Sequence, residues 1–288
     1  MGIEAGGTFS IGGSDRVHRL GYGAMRLCGP HNLGPCEDRS APRRVLRRAL
    51  ELGIDFIDTS DSYGPHLNEE QIADALAPYP PDLLIATKGS TIRTLAEPAR
   101  RDYDNSPAYL RAAVEGSLRR LRLERIALYQ LHRLDGRTPL EESLGALADM
   151  QREGKIGHVG LSEVDAATLA QAHAIMPIAS VQNRFNLWER THAPVLAWCE
   201  AHGAAFIPWF PLGGGMRSAA DDGVVKTVAA EIGATTTQVA LAWLLQHSPA
   251  MLLIPGTASV AHLEENVGAC NVQLGANAIT QLDRLAQP

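Results

Sequence analysis

The chain has 288 residues, 45% of them apolar and 20% charged, with a net charge of -6. That length suits one large domain or two small ones with a sizeable core. The negative balance, with no long basic run, argues against a nucleic-acid surface, and no apolar run reaches the length of a membrane span.

A small anionic ligand stays open, because local arginines and helix N-termini suffice for one. The N-terminus, Met1 to Gly7, lacks the basic-then-apolar layout of a signal peptide. Cys28, Cys36, Cys199 and Cys270 show neither metal-ligand nor CxxC spacing, so no metal is expected. A reducing cytoplasm is the expected setting.

In chain order, Thr8–Ile11, a Gly-Gly-Ser-Asp turn and Val17–Leu20 read as a β-hairpin. Leu20–Met25 continues as a strand ending in small residues. Pro42–Leu52 carries apolar residues at helical spacing (Val45, Leu46, Ala49, Leu50) until Gly53 ends it. The alternation then repeats. Strand Ile54–Asp58 precedes helix Asn68–Ala77, and strand Leu83–Lys88 precedes helix Pro107–Leu121. Strand Ile126–His132 precedes helix Pro139–Glu153, and His158–Ser162 precedes Ala166–Ile175. Strand Ser180–Gln182 precedes helix Pro194–His202. Strand Ala205–Trp209 leads to helices Val224–Ile232 and Thr237–Gln246, and strand Met251–Ile254 to helix Val260–Ala269.

Eight strands, each a continuous apolar run followed by a helix, predict an α/β fold. The expected architecture is a (β/α)8 TIM barrel, a single domain over residues 1–288, with an N-terminal β-hairpin and a C-terminal helical extension. An open doubly wound sheet would have fewer units. Gly21-Tyr22-Gly23 also lacks the third glycine and the following helix of a dinucleotide fingerprint.

In such a barrel the strand C-termini converge on one face. Asp58 ends the second strand, with Tyr63 just beyond it. Lys88 ends the third strand and His132 the fourth. Singly, each has a plain structural reading as a turn former, packing ring or salt bridge. Together, on consecutive strands, they point to proton donation to a carbonyl. A buried lysine needs a partner, and Asp58 is the natural one. The ammonium is expected to lower the phenol of Tyr63 from about 10 towards the working range. His132 would hydrogen-bond the carbonyl oxygen. No side chain supplies hydride, so such a site needs a nicotinamide cofactor. A barrel aldolase using Lys88 as a Schiff-base amine remains open on the residues alone.

From the hairpin to Asn266 the sequence resembles the aldo-keto reductases. The resemblance implies Asp58, Tyr63, Lys88 and His132 as the catalytic tetrad, and Gly23, Ala24 and Met25 as the signature after the first strand. It implies Ser162 and Gln182 as carboxamide ligands, with Glu163 where the family usually has asparagine, and Trp209 stacked on the nicotinamide. The following stretch, Phe210, Pro211, Leu212, Gly213 and on through Gly215, either lies over a pyrophosphate or is a plain flexible loop. Ile254, Pro255, Gly256 and Thr257, with His262, Glu265 and Asn266, are implied at the adenine end, where a helix N-terminus suits an anion. NADP(H) is the expected cofactor. NAD(H) is the alternative, because Gly256 and His262 replace the lysine and arginine that grip a 2′-phosphate in many relatives.

Longer strings, Leu20 to Pro30, Asp58 to His66 and Leu253 to Leu263, look like the pyridoxal-reducing branch of the family. The expected function is NADPH-dependent reduction of a small aldehyde or ketone, pyridoxal among them. A redox sensor that holds nicotinamide with little turnover is a second reading of the same resemblance. Met25, Trp209 and Phe210 would give apolar walls. The loop from Gly89 to Ser106 carries Arg93, Arg100, Arg101 and Tyr103, which either admit an acidic substrate or are merely solvated.

Overall fold

In the computed structural model, which describes residues 2–214 and 217–286, strands and helices alternate as the apolar pattern requires. β1 (Thr8–Ile11) and β2 (Asp15–His18) form an antiparallel ribbon around Gly12 and Gly13, both at positive φ. Pairing resumes directly after that tight turn, so the second strand begins earlier than Val17 and ends at His18. β3 (Tyr22–Gly23) is short, because the chain turns at Ala24 into a 3-10 helix, Ala24–Leu27, instead of extending to Met25.

There follow α1 (Ala41–Glu51), β4 (Phe56–Asp58), α2 (Leu67–Leu76) and β5 (Leu84–Gly89). A small antiparallel ribbon, β6 (Thr91–Ile92) with β7 (Asp102–Tyr103), lies within the loop from Gly89 to Ser106. Then come α3 (Pro107–Leu121), β8 (Ile126–Leu131), α4 (Leu140–Arg152), β9 (Ile156–Ser162), α5 (Ala166–Ile175), β10 (Ser180–Gln182), α6 (Ala193–His202) and β11 (Ala205–Phe206). The C-terminal part adds β12 (Gly213–Gly214), β13 (Arg217–Ser218), α7 (Gly223–Ile232), α8 (Thr236–His247), α9 (Val260–Gly268) and the extension α10 (Ala276–Asp283). Helix starts are set locally. Asp165 caps α5, Asp222 caps α7, and Thr235 with Gln238 forms a capping box on α8.

β3, β4, β5, β8, β9, β10 and β11 lie side by side in that order, all parallel. The eighth stave, 251–254, is held by isolated bridges rather than a full ladder: Phe206 pairs with Met251 on one side and Leu20 with Leu253 on the other. Leu252 donates to the Phe206 carbonyl at 2.9 Å, and Gly21 donates to that of Leu253 at 2.7 Å, which closes the barrel. Arg19 reinforces this seam by donating to the carbonyls of Leu245 (2.6 Å), Ser248 (2.6 Å) and Met251 (3.1 Å).

Phe56, Leu84, Ala86, Leu128, Ala205, Ile207 and Leu252 form the inner core, and Ile11 and Val17 of the hairpin join it. The hairpin therefore closes the N-terminal end, and the opposite end is left for the strand C-termini. Among the described residues, no single helix is long and apolar enough to cross a membrane.

The seam generates a stability prediction. Arg19→Met strips three carbonyls of a charged donor and is expected to lower unfolding stability by about 2–4 kcal/mol in urea denaturation. A loss within error of zero would show that the seam closes without it.

Candidate active site

Side chains of a strand alternate in direction, so the inward-pointing core residues fix which later residues face the barrel mouth. Phe56 points inward, and two residues on stands Asp58. Leu84 and Ala86 lead to Lys88, Leu128 leads to Gln130 and His132, and Ala205 and Ile207 lead to Trp209. The same count brings Gly160 to Ser162 and Ser180 to Gln182, neighbours in register.

Lys88 is fully buried, and its ammonium meets three oxygens: Asp58 Oδ2 at 2.6 Å, the Thr59 carbonyl at 2.8 Å and the Tyr63 hydroxyl at 3.5 Å. The other carboxylate oxygen, Asp58 Oδ1, accepts from Gln130 Nε2 (3.1 Å) and Gln182 Nε2 (3.0 Å). Burial is the largest influence and works against the Lys88 charge, but Asp58 and Tyr63 together outweigh it and hold the ammonium above the usual lysine value.

For Tyr63 the balance runs the other way from the sequence expectation. Burial pushes the phenol up, and Lys88 pulls it down by less, so its net position lies above an ordinary tyrosine. The ring stands edge-on to His132, centroids 5.9 Å apart. His132 Nδ1 lies 3.1 Å from Ser60 Oγ and 3.4 Å from Ser62 Oγ. Burial, with Lys88 and Arg133, keeps this imidazole well below the ordinary histidine value and therefore neutral.

These groups open on a cleft of about 500 Å³. Gly23, Met25, Asp58, Ser162 and Gln182 line it, as do Trp209 through Gly213 and Ile254, Pro255 and Gly256. Ala24, Glu163, Thr257, His262, Glu265 and Asn266 do not, and Gly215 lies outside the described residues. Glu163 bonds the Trp209 indole N–H and the Arg184 backbone, so it braces the ring from behind. Thr257 Oγ1 is engaged by the Ser259 backbone at 3.0 Å, whereas Asn266 Oδ1 is buried without a partner among the described residues. His262 is exposed on α9. Gly256 is explained by crowding: a Cβ there would sit 2.6 Å from the Gly23 carbonyl, so no lysine fits without moving backbone. Cys28 is buried outside the cleft lining and its thiol is pushed up to about 11 by burial, so it is no thiolate.

Gln130, Ser60 and Ser62 escaped the sequence reading. Gln130 was detectable as a polar residue on the inward parity of an apolar strand, two positions before His132.

A family model described as "Aldo/keto reductase family" matches residues 19–287. The chain is 44% identical over 286 residues to pyridoxine 4-dehydrogenase of Escherichia coli, covering 97% of this chain and 98% of that one. It is similar to a solved thermostable aldo-keto reductase in complex with the inhibitor epalrestat, with TM-score 0.85 and 28% identity over 97% of this chain and 99% of that one. A second solved relative, an aldo/keto reductase from Klebsiella pneumoniae in complex with NADP and acetate, has TM-score 0.82 and 26% identity, covering 98% and 95%.

The buried pair generates a double-mutant cycle. Lys88→Met leaves the Asp58 carboxylate buried without its cation and is expected to cost about 3–5 kcal/mol in denaturant unfolding. Adding Asp58→Asn should recover at least half of that. Additive losses would mean that the two groups are not energetically coupled.

Proposed function

The chain belongs to the aldo/keto reductase family, and we propose that it reduces an aldehyde or ketone with NADPH, Tyr63 giving its proton to the carbonyl oxygen. The observation that carries this reading is the Tyr63 hydroxyl, 3.5 Å from the Lys88 ammonium in a cleft it shares with His132. On this proposal the whole chain is one barrel domain.

The residues fit a dinucleotide. Trp209 offers a flat ring at the cleft, and Ser162 and Gln182 offer polar ends beside it. α9 presents a capped N-terminus, and Asn266 Oδ1, without a partner among the described residues, is a buried acceptor on the same helix. Arg26 lines the cleft next to Gly256 and brings a cation to that side, which favours NADPH. A reduced nicotinamide bound there supplies the hydride. As charge develops on the carbonyl oxygen, Tyr63 donates its O–H proton to it, and the phenolate left behind is stabilised by Lys88. Solvent then returns a proton to Tyr63, so the product is the alcohol. Ser60 and Ser62 hydroxyls lie at His132 Nδ1; with one of them donating to it, the neutral ring carries its proton on Nε2 and can donate to the same oxygen.

Similarity to the Escherichia coli pyridoxine 4-dehydrogenase makes pyridoxal a first substrate to test. An aldolase role for Lys88 has less support, since a Schiff-base amine must lose its proton and Asp58 favours the ammonium.

Tyr63→Phe is expected to lower kcat/KM for pyridoxal or 4-nitrobenzaldehyde by about 10²- to 10⁴-fold. Fluorescence titration should still detect NADPH binding in that variant. Turnover close to the wild type would assign the proton to another group.

A further inference from the structure

The ribbon after β5 carries a charge arrangement that the tetrad does not use. In its register Thr91 stands opposite Tyr103 and Ile92 opposite Asp102; carried one step past the end of the ribbon, the same register sets Arg93 across from Arg101. Alternation puts Thr91, Arg93, Arg101 and Tyr103 on one face. All four line the cleft that holds Tyr63 and His132, whereas Ile92 and Asp102 do not.

Like charges facing each other across a ribbon repel. Arg100, between them in sequence, is neutralised by Glu97 (3.1 Å) and Asp102 (2.8 Å). Arg93 has no such partner among the described residues: it donates to the carbonyls of His31 (2.9 Å) and Pro98 (3.2 Å), which fix its direction without cancelling its charge. Arg101 has no ion pair among the described residues either. Thr91 is only 6% exposed, and its Oγ1 has no hydrogen-bond partner among them. Two uncompensated guanidiniums and an orphan hydroxyl on one face form a set of donors awaiting acceptors.

We propose that this ribbon binds an oxyanion, carboxylate or phosphate, carried by the carbonyl substrate at the end away from the reacting carbon. The inference rests on the carbonyl-reductase reading and names its substrate class. The ribbon follows the Lys88 strand, third in the barrel, while most of the cofactor candidates sit on the fifth to eighth staves. That separation favours the substrate over a cofactor phosphate as the source of the anion.

The test pairs 4-carboxybenzaldehyde with its neutral methyl ester, using the full chain and NADPH. The wild type is expected to favour the acid in kcat/KM by about tenfold or more, the scale of one charge-assisted contact. Arg101→Gln, at an exposed position where misfolding is least expected, should cut that preference by about tenfold, with Arg101→Lys restoring part of it and Arg93→Lys weakening it. Equal turnover of the two aldehydes by the wild type, or a preference untouched by Arg101→Gln, overturns the proposal. NADPH affinity falling by the same factor in Arg101→Gln also overturns it, since the arginine would then serve the cofactor. If neither aldehyde turns over, the carbonyl-reductase reading fails, and equilibrium binding still decides this one. Tighter binding of 4-(hydroxymethyl)benzoate than of its methyl ester, lost in Arg101→Gln, sustains the anion site, and equal binding ends it.

Discussion

A lysine with no solvent exposure is tolerable only where protein atoms meet its charge and its hydrogens, and Lys88 makes that demand at the centre of the barrel mouth. Asp58 answers the charge, the Thr59 carbonyl takes a second hydrogen and the Tyr63 hydroxyl lies along the third. Asp58 in turn draws in Gln130 and Gln182. One ion pair therefore ties together four strands, and the location of the phenol follows from satisfying the ammonium. A site held in this way spends little on reorganisation when charge moves.

The same pair explains how a phenol with a raised proton affinity can still serve as an acid. Burial keeps Tyr63 neutral, and so a donor, at rest. The pull of Lys88 grows as the proton leaves, because only the phenolate is charged. An alkoxide is also a far stronger base than a phenolate, so transfer to the forming alcohol needs no acidic phenol beforehand. The ammonium then acts most strongly on the state in which charge has developed, which is where stabilisation accelerates a reaction.

Much of this was legible in the chain. Helices 107–121 and 166–175 fall where the alternation of strands and helices placed them, and their caps, Ser106 and Asp165, are local signals. Asp58, Tyr63, Lys88 and His132 meet because strand ends converge, a consequence of topology rather than of any one residue. The eighth stave was harder: 251–254 is apolar like a strand but pairs only through bridges, and Arg19, which secures it, is remote in sequence. The sign of the Tyr63 shift was illegible, since it depends on how deeply the ring is buried. The Arg93–Arg101 opposition also needed the register of a two-residue ribbon too short to register as a periodic pattern. Glu163 shows a further limit, because its brace on Trp209 spans two loops.

The central claim is that burial and Lys88 contend over the Tyr63 proton, and titration of that one hydroxyl tests it most directly. In protein labelled with 13C at tyrosine Cζ, with the resonance assigned by its loss in Tyr63→Phe, Tyr63 should remain protonated beyond the ordinary midpoint of about 10. In Lys88→Met it should titrate higher still. A midpoint below that of a free tyrosine, or one that Lys88→Met leaves unmoved, would contradict the account.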